Sequence, residues 1–151
     1  MSDCIFCKIV DKKIPSCVVT EDEKTIAFMD IMPARKGHVL VVPRRHSETM
    51  LDVPSDDLVA MTKLVQRVSV ALQEALEPPG LAVVQLNGAA SGQTVFHIHF
   101  HVIPRRAGDG LAMKWSHESY LPGEVEQYQT KIAKALNNPL TLPSPPAGAR
   151  E

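Results

Sequence analysis

Three histidines alternate with apolar residues in one run, His97-Ile98-His99-Phe100-His101-Val102-Ile103. An extended strand sends every second side chain to the same face. The alternation predicts three imidazoles projecting together, spaced roughly 7 Å along the chain, with Ile98, Phe100 and Val102 turned into a core. Neutral imidazole is a good nucleophile near neutral pH, because its ordinary pKa is about 6.5. It can attack a carbonyl or phosphoryl centre and carry the group covalently. His99, flanked on both sides by further rings, is the candidate nucleophile. His101 is the candidate donor to an anionic oxygen or the group that orients its neighbour. Residue types alone leave two other readings open: a shared metal ion, or rings that are only structural.

Upstream, Asn87-Gly88-Ala89-Ala90-Ser91-Gly92-Gln93-Thr94 combines small residues with two glycines. Such a loop can turn backbone N–H groups onto an anion. Asn87, Gln93 and Thr94 add side-chain donors that would stabilise charge developing in a transition state. A plain hairpin loop is the simpler reading, and the position just before the histidine run favours the anion cradle. His38 follows Gly37 and opens the apolar run Val39 to Val42, at the rim of a pocket; His46 follows Pro43-Arg44-Arg45. Cys4-Ile5-Phe6-Cys7 is a C-x-x-C pair without the strand-led βαβ setting of a redox motif. A structural zinc takes four ligands, commonly two Cys and two His. His46 and one ring of the histidine run are the candidates to complete it. Cys17 reads as a packed thiol.

These groups need a scaffold. The apolar and charged fractions, 44% and 22%, are those of an ordinary globule. A short helix is expected over residues 4–13, then a hairpin of Val18–Thr20 and Lys24–Met29, then a strand over His38–Val42 stopped by Pro43. Leu58, Met61, Leu64, Val65, Val68, Leu72 and Leu76 recur every three or four residues, which describes a long amphipathic helix. Ser55 is its expected cap, and Pro78-Pro79-Gly80 forbids its continuation. Strands follow at Leu81–Leu86 and Phe96–Ile103, then a helix from Gly123 to Leu136. The pattern is α+β: an antiparallel sheet with helices on one side. Residues 1–136 read as one domain and the Pro-rich 137–151 as a mobile tail.

A net charge of −1 provides no global field toward nucleic acid or membrane. The doublets Arg44-Arg45 and Arg105-Arg106 read as solvated rims. No apolar run approaches the ~20 residues of a membrane span. Without a visible secretory signal, and with three cysteines, cytoplasmic residence is the expectation.

Several of these features, in this order, resemble the histidine triad (HIT) superfamily of nucleotidyl hydrolases and transferases. They are the opening Cys-Ile-Phe-Cys-Lys-Ile, Ile14-Pro15, Asp30-Ile31 with Pro33, Gly37 to Pro43, Ser91 to Val95 and His97 to Val102. The likeness covers Cys4 to Arg106 and is similar to the small bacterial-type, Hint-like branch. It implies a five-stranded antiparallel sheet with one long and one or two short helices, and a homodimer with a ten-stranded sheet. It implies a purine nucleotide substrate, with His99 as nucleophile on the α-phosphorus and His38, Asn87, Gly92, Gln93, Thr94 and His101 lining the phosphate site. Asp30 would bind ribose hydroxyls, and Ile5, Phe6, Ile9, Phe28 and Ile31 would enclose the base. The same resemblance implies one structural zinc per chain on Cys4, Cys7, His46 and His97, and no catalytic cofactor. The leading activity is then hydrolysis of nucleoside phosphoramidates. Thr94, where many Hint-like members carry serine, and Ile103 to Asp109 are similar to the dinucleoside polyphosphate hydrolase branch. A Trp-Pro ending seen in part of the Hint branch is absent; Trp115 lies well before the tail. A non-catalytic, zinc-stabilised nucleotide-binding protein is the third reading.

Overall fold

The computed structural model describes residues 3–112 and 116–137. Trp115 and the Pro-rich stretch from 138 onward lie outside the described residues. The chain divides into two compact units, Met1–Gly110 and Leu111–Glu151.

In the first unit, α1 (Ile5–Val10) precedes β1 (Val18–Glu21), β2 (Thr25–Met29) and β3 (Val39–Pro43). Then come α2 (Ser55–Leu76), β4 (Gly80–Gln85), a 3-10 turn (Ala89–Ser91) and β5 (Phe100–Arg105). The sheet is antiparallel with order β1-β2-β3-β5-β4. Period-two patterning splits its residues between two faces. Ala27, Val39, Val41 and Val102 pack on Leu64, Val65, Val68 and Leu72 of α2. Ile26, Phe28, Leu40 and Val42 pack on Phe6 of α1, with Ile9 and Val10 alongside. Helices therefore cover both faces, not one as the sequence pattern suggests: α1 is short, and only Phe6 of it is fully buried.

Local chemistry sets the ends of the elements. Lys12 adopts a left-handed φ of 58°, and its N–H bonds Ile9 O while Lys13 N bonds Lys8 O. This paired closure ends α1 before residue 13. Pro54, not Ser55, is the N-cap of α2, with no side-chain cap bond. The Pro54 carbonyl already accepts from both Asp57 N and Leu58 N. Gly37 has φ +94°, and a Cβ there would lie 2.6 Å from Leu76 Cδ1 and 3.0 Å from Pro104 Cγ. Only glycine fits where this turn hands the chain to His38.

The histidine run enters the ladder later than its alternation suggests: β5 begins at Phe100. In the register Val39↔Val102, Leu40↔His101, Val41↔Phe100, Pro43 would stand opposite Ile98, and Pro43 has no N–H to give. Ile98 N instead donates to Ser47 O at 2.7 Å. The alternation of faces survives. Ile98 is fully buried with Met61 and Val53, while His97, His99 and His101 occupy the α1 side. Cys17, expected as packed, is exposed; it lies in the irregular segment between α1 and β1, outside the core clusters of the described residues.

The second unit carries α3 (Glu124–Leu136). Glu124 Oε2 accepts from Leu121 N at 2.7 Å, ahead of its first turn. Its apolar residues Val125, Tyr128 and Ile132 are exposed.

Ile98 supports the histidines from behind, so Ile98→Ala should cost about 2–5 kcal/mol of stability. Urea denaturation of the purified variant checks this.

Candidate active site

A cleft of 380 Å³ opens between α1 and the sheet. Ile5, Phe6, Ile9, Phe28 and Leu40 form its apolar wall, with Asp30, Ile31, Thr94, His99 and His101 around it. Phe6 sets the geometry: its ring stands edge-on to Phe28 at 5.4 Å and to His99 at 5.1 Å. Ile14, Pro15, Ser16, Met29, Met32 and Val95 also line the cleft. Nothing in the sequence marked Met29, Met32 or Val95 as wall. Ile14-Pro15 stood only among the motifs of the family likeness.

The histidines form two connected devices. His99 is 6% exposed, and its Nδ1–H donates to the His97 carbonyl at 2.7 Å. That bond fixes the tautomer and leaves Nε2 with a lone pair. Burial lowers the His99 pKa, opposed by the carbonyl bond and by the Asp30 charge, so the ring is neutral at pH 7. The second device starts at Ala34, whose N–H donates to His38 Nδ1 at 3.0 Å. His38 Nε2 must then carry the proton, which it gives to His101 Nδ1 at 2.9 Å. The remaining nitrogen of His101, Nε2, carries a hydrogen. The His99 and His101 rings lie 4.8 Å apart, so one lone pair and one N–H stand side by side at the cleft. Burial, then the neighbouring His99 and His38, push His101 down to about 4. Burial also lowers His38, against the raising effect of Asp30. Asp30 Oδ2 lies 3.6 Å from His38 Nδ1, and its Oδ1 accepts from Met32 N at 2.8 Å. Asp30, His38 and His101 converge closely enough to hold a metal, but both His38 nitrogens are engaged in hydrogen bonds that set the tautomers of the two rings.

The Gly-rich loop spends most of its donors on itself. Ser91, Gly92 and Gln93 amides bond Gly88 and Ala89 carbonyls. Gln93 is 3% exposed; its Oε1 accepts from Gly88 N, and its Nε2 donates to Glu48 O and Val95 O. Gln93 thus staples the loop. Asn87 accepts from Met50 N and pairs with Gln85. Thr94 is the loop residue that reaches the cleft together with Val95.

Cys4, Cys7, His46 and His97 offer ligand atoms that all lie within 4.8 Å of one another. His97 Nδ1 is 3.6 Å from Cys4 Sγ, 3.5 Å from Cys7 Sγ and 3.3 Å from His46 Nδ1. A tetrahedral ion with Zn–S of about 2.3 Å and Zn–N of about 2.0–2.1 Å places its ligand atoms about 3.3–3.8 Å apart. His97 Nε2–H donates to Pro43 O at 2.8 Å, which leaves Nδ1 bare toward the cluster and fixes the ring as metal-binding histidines require. The donor set fits zinc. Of the basic doublets, Arg44 pairs with Glu21, and Arg105 bonds Asp109.

Residues 11–108 match the family model of the HIT domain. The chain belongs to the HIT family. A crystal structure of a HIT-family member from Bacillus subtilis is similar at TM-score 0.83 and 38% identity, over 88% of this chain and 96% of that one. The adenosine 5'-monophosphoramidase hnt1 of Schizosaccharomyces pombe is 34% identical over 88% of this chain and 98% of its own. A zinc-bound histidine triad family protein from Mycobacterium smegmatis superposes with TM-score 0.69 and 34% identity, over 88% of this chain and 97% of that one. Among the described residues, no helix is long and apolar enough to cross a membrane.

The folded-state pKa of His101, about 4, lies below the ordinary value of about 6.5. The unfolded chain therefore takes up the proton first. The corresponding stability is fully present above about pH 6.5 and drains as pH falls toward 4. Denaturation midpoints measured across that interval should fall for the native protein and fall less for His101→Gln.

Proposed function

We propose that this HIT protein hydrolyses purine nucleoside phosphoramidates or related nucleotidyl conjugates at the α-phosphorus. The reaction runs through a covalent nucleotidyl-histidine on His99 and releases the nucleoside monophosphate. The observation that carries this reading is the bare Nε2 of His99, beside the His101 N–H, at the mouth of an apolar cleft. The monophosphoramidase name of the fission-yeast relative supports it.

In this reading the base lies against Ile5, Phe6, Ile9, Phe28 and Ile31, and Asp30 accepts from ribose hydroxyls. The Nε2 lone pair forms a bond to phosphorus while the bond to the leaving nitrogen breaks. The leaving nitrogen departs with a proton taken from solvent at the open cleft, while the neutral His101 donates its Nε2–H as a hydrogen bond to a phosphoryl oxygen. The positive charge that develops on His99 is stabilised by the His97 carbonyl at Nδ1–H. Water then attacks phosphorus, its proton leaves to solvent, and the pair of the P–N bond returns to His99. Positioning and fixed dipoles do most of the work in such transfers. His38 holds His101 in the donating tautomer, and Gln93 holds the loop that presents Thr94.

Zinc on Cys4, Cys7, His46 and His97, one per chain, would supply a cross-link between α1 and the histidine run and takes no part in bond breaking. A cytoplasmic homodimer with a ten-stranded sheet completes the reading, without nucleic acid or membrane as partner. Thr94 at the cleft keeps dinucleoside polyphosphates as the second substrate class. Among the described lining residues Asp30 alone is charged, which favours the less anionic phosphoramidates.

His99→Ala should lower turnover of adenosine phosphoramidate by on the order of 10⁴-fold or more while leaving adenosine monophosphate binding measurable. Turnover close to that of the native protein would remove His99 from the chemistry.

A further inference from the structure

The metal cluster and the nucleotide cleft share their parts. Cys4 immediately precedes α1 and Cys7 lies within it. Between and after them, Ile5, Phe6 and Ile9 form one wall of the cleft. His97 contributes its ring to the cluster, and its carbonyl is the group that sets the His99 tautomer. Phe6 lies between the two, with its ring centroid 6.0 Å from His97 and 5.1 Å from His99. A helix of six residues has little stability of its own. Its fixed position rests on the packing of Phe6, with Ile9 and Val10 alongside, and on the cluster of Cys4 and Cys7 with His46 and His97.

We propose that Cys4, Cys7, His46 and His97, when they hold zinc, set the nucleotide affinity of the cleft by locking α1 against the histidine run. They act as positioning residues for nucleotide binding, beyond any part in overall stability. The inference rests on the nucleotide reading of the cleft. The wall residues cannot close on a base unless α1 is fixed, so zinc and nucleotide favour the same arrangement. Coupling of this kind is reciprocal. Nucleotide must tighten zinc retention by the same factor by which zinc tightens nucleotide.

The experiment uses the full chain purified without chelator, with zinc content measured. Adenosine monophosphate is titrated into the zinc-loaded and the chelator-stripped protein, and zinc loss to a competing chelator is followed with and without the nucleotide. Amide exchange is recorded on both forms. Expected results are an affinity loss of about tenfold on stripping, equal tightening of zinc by nucleotide, and faster exchange confined to α1 and the His97–His99 segment. The Phe6→Ala protein should keep its zinc, bind nucleotide more weakly, and lose most of the difference between loaded and stripped forms. Equal affinity with and without zinc, or uniform exchange across α2 and the sheet, would overturn the coupling and leave a metal that only stabilises the fold. Local exchange at α1 with no nucleotide binding to the loaded protein would instead overturn the nucleotide reading and keep the link between metal and cleft wall.

Discussion

The hydrogen bond from His99 Nδ1–H to the carbonyl two residues before it, at 2.7 Å, decides what the site can do. An imidazole in water divides its proton between two nitrogens and is partly charged near pH 6.5. Here one nitrogen is committed to a buried carbonyl and the charged form is disfavoured by burial. The other nitrogen keeps its lone pair. The bond is local in sequence, and it forms where residues 97–99 lie ahead of the β5 ladder, which begins at Phe100. In a continued strand the His97 carbonyl would be directed across to the neighbouring strand.

Pro43 serves the metal cluster. Its carbonyl takes the His97 Nε2–H and so turns Nδ1 to the cysteines. His97 is therefore fixed through its ring and fixes His99 through its backbone. The two faces of the sheet divide the labour. The α2 face is hydrocarbon, with Ile98, Phe100 and Val102 packed near Met61 and Leu64. The α1 face holds the titratable rings, which sit over Phe28 and Leu40 and lose their water there. The low pKa of His101 follows from that placement.

Much of this was legible in the chain. Period-two alternation separated the imidazoles from Ile98, Phe100 and Val102, and period-3.6 spacing located α2. The C-x-x-C pair and the four-ligand rule pointed to His46 and a ring of the run; the family likeness chose His97. What the sequence hid was backbone hydrogen bonding. The anion-cradle reading of residues 87–94 assumed free N–H groups, but a 3-10 turn consumes those of Ser91, Gly92 and Gln93. Gln93 looked like a phosphate donor because its amide is polar and near the histidines. Its buried bonds to Glu48 O and Val95 O depend on a loop 45 residues away in sequence, which no local pattern reports. The covering of both sheet faces was likewise invisible, because α1 is too short to show a period.

The most direct measurement is the nitrogen-15 and proton correlation spectrum of the His99 imidazole at pH 7 in zinc-loaded protein. A protonated Nδ1 with an unprotonated Nε2 is the expected state. A hydrogen on Nε2, or a doubly protonated ring, would mean that His99 has no lone pair facing the cleft, and the assigned chemistry would have no nucleophile.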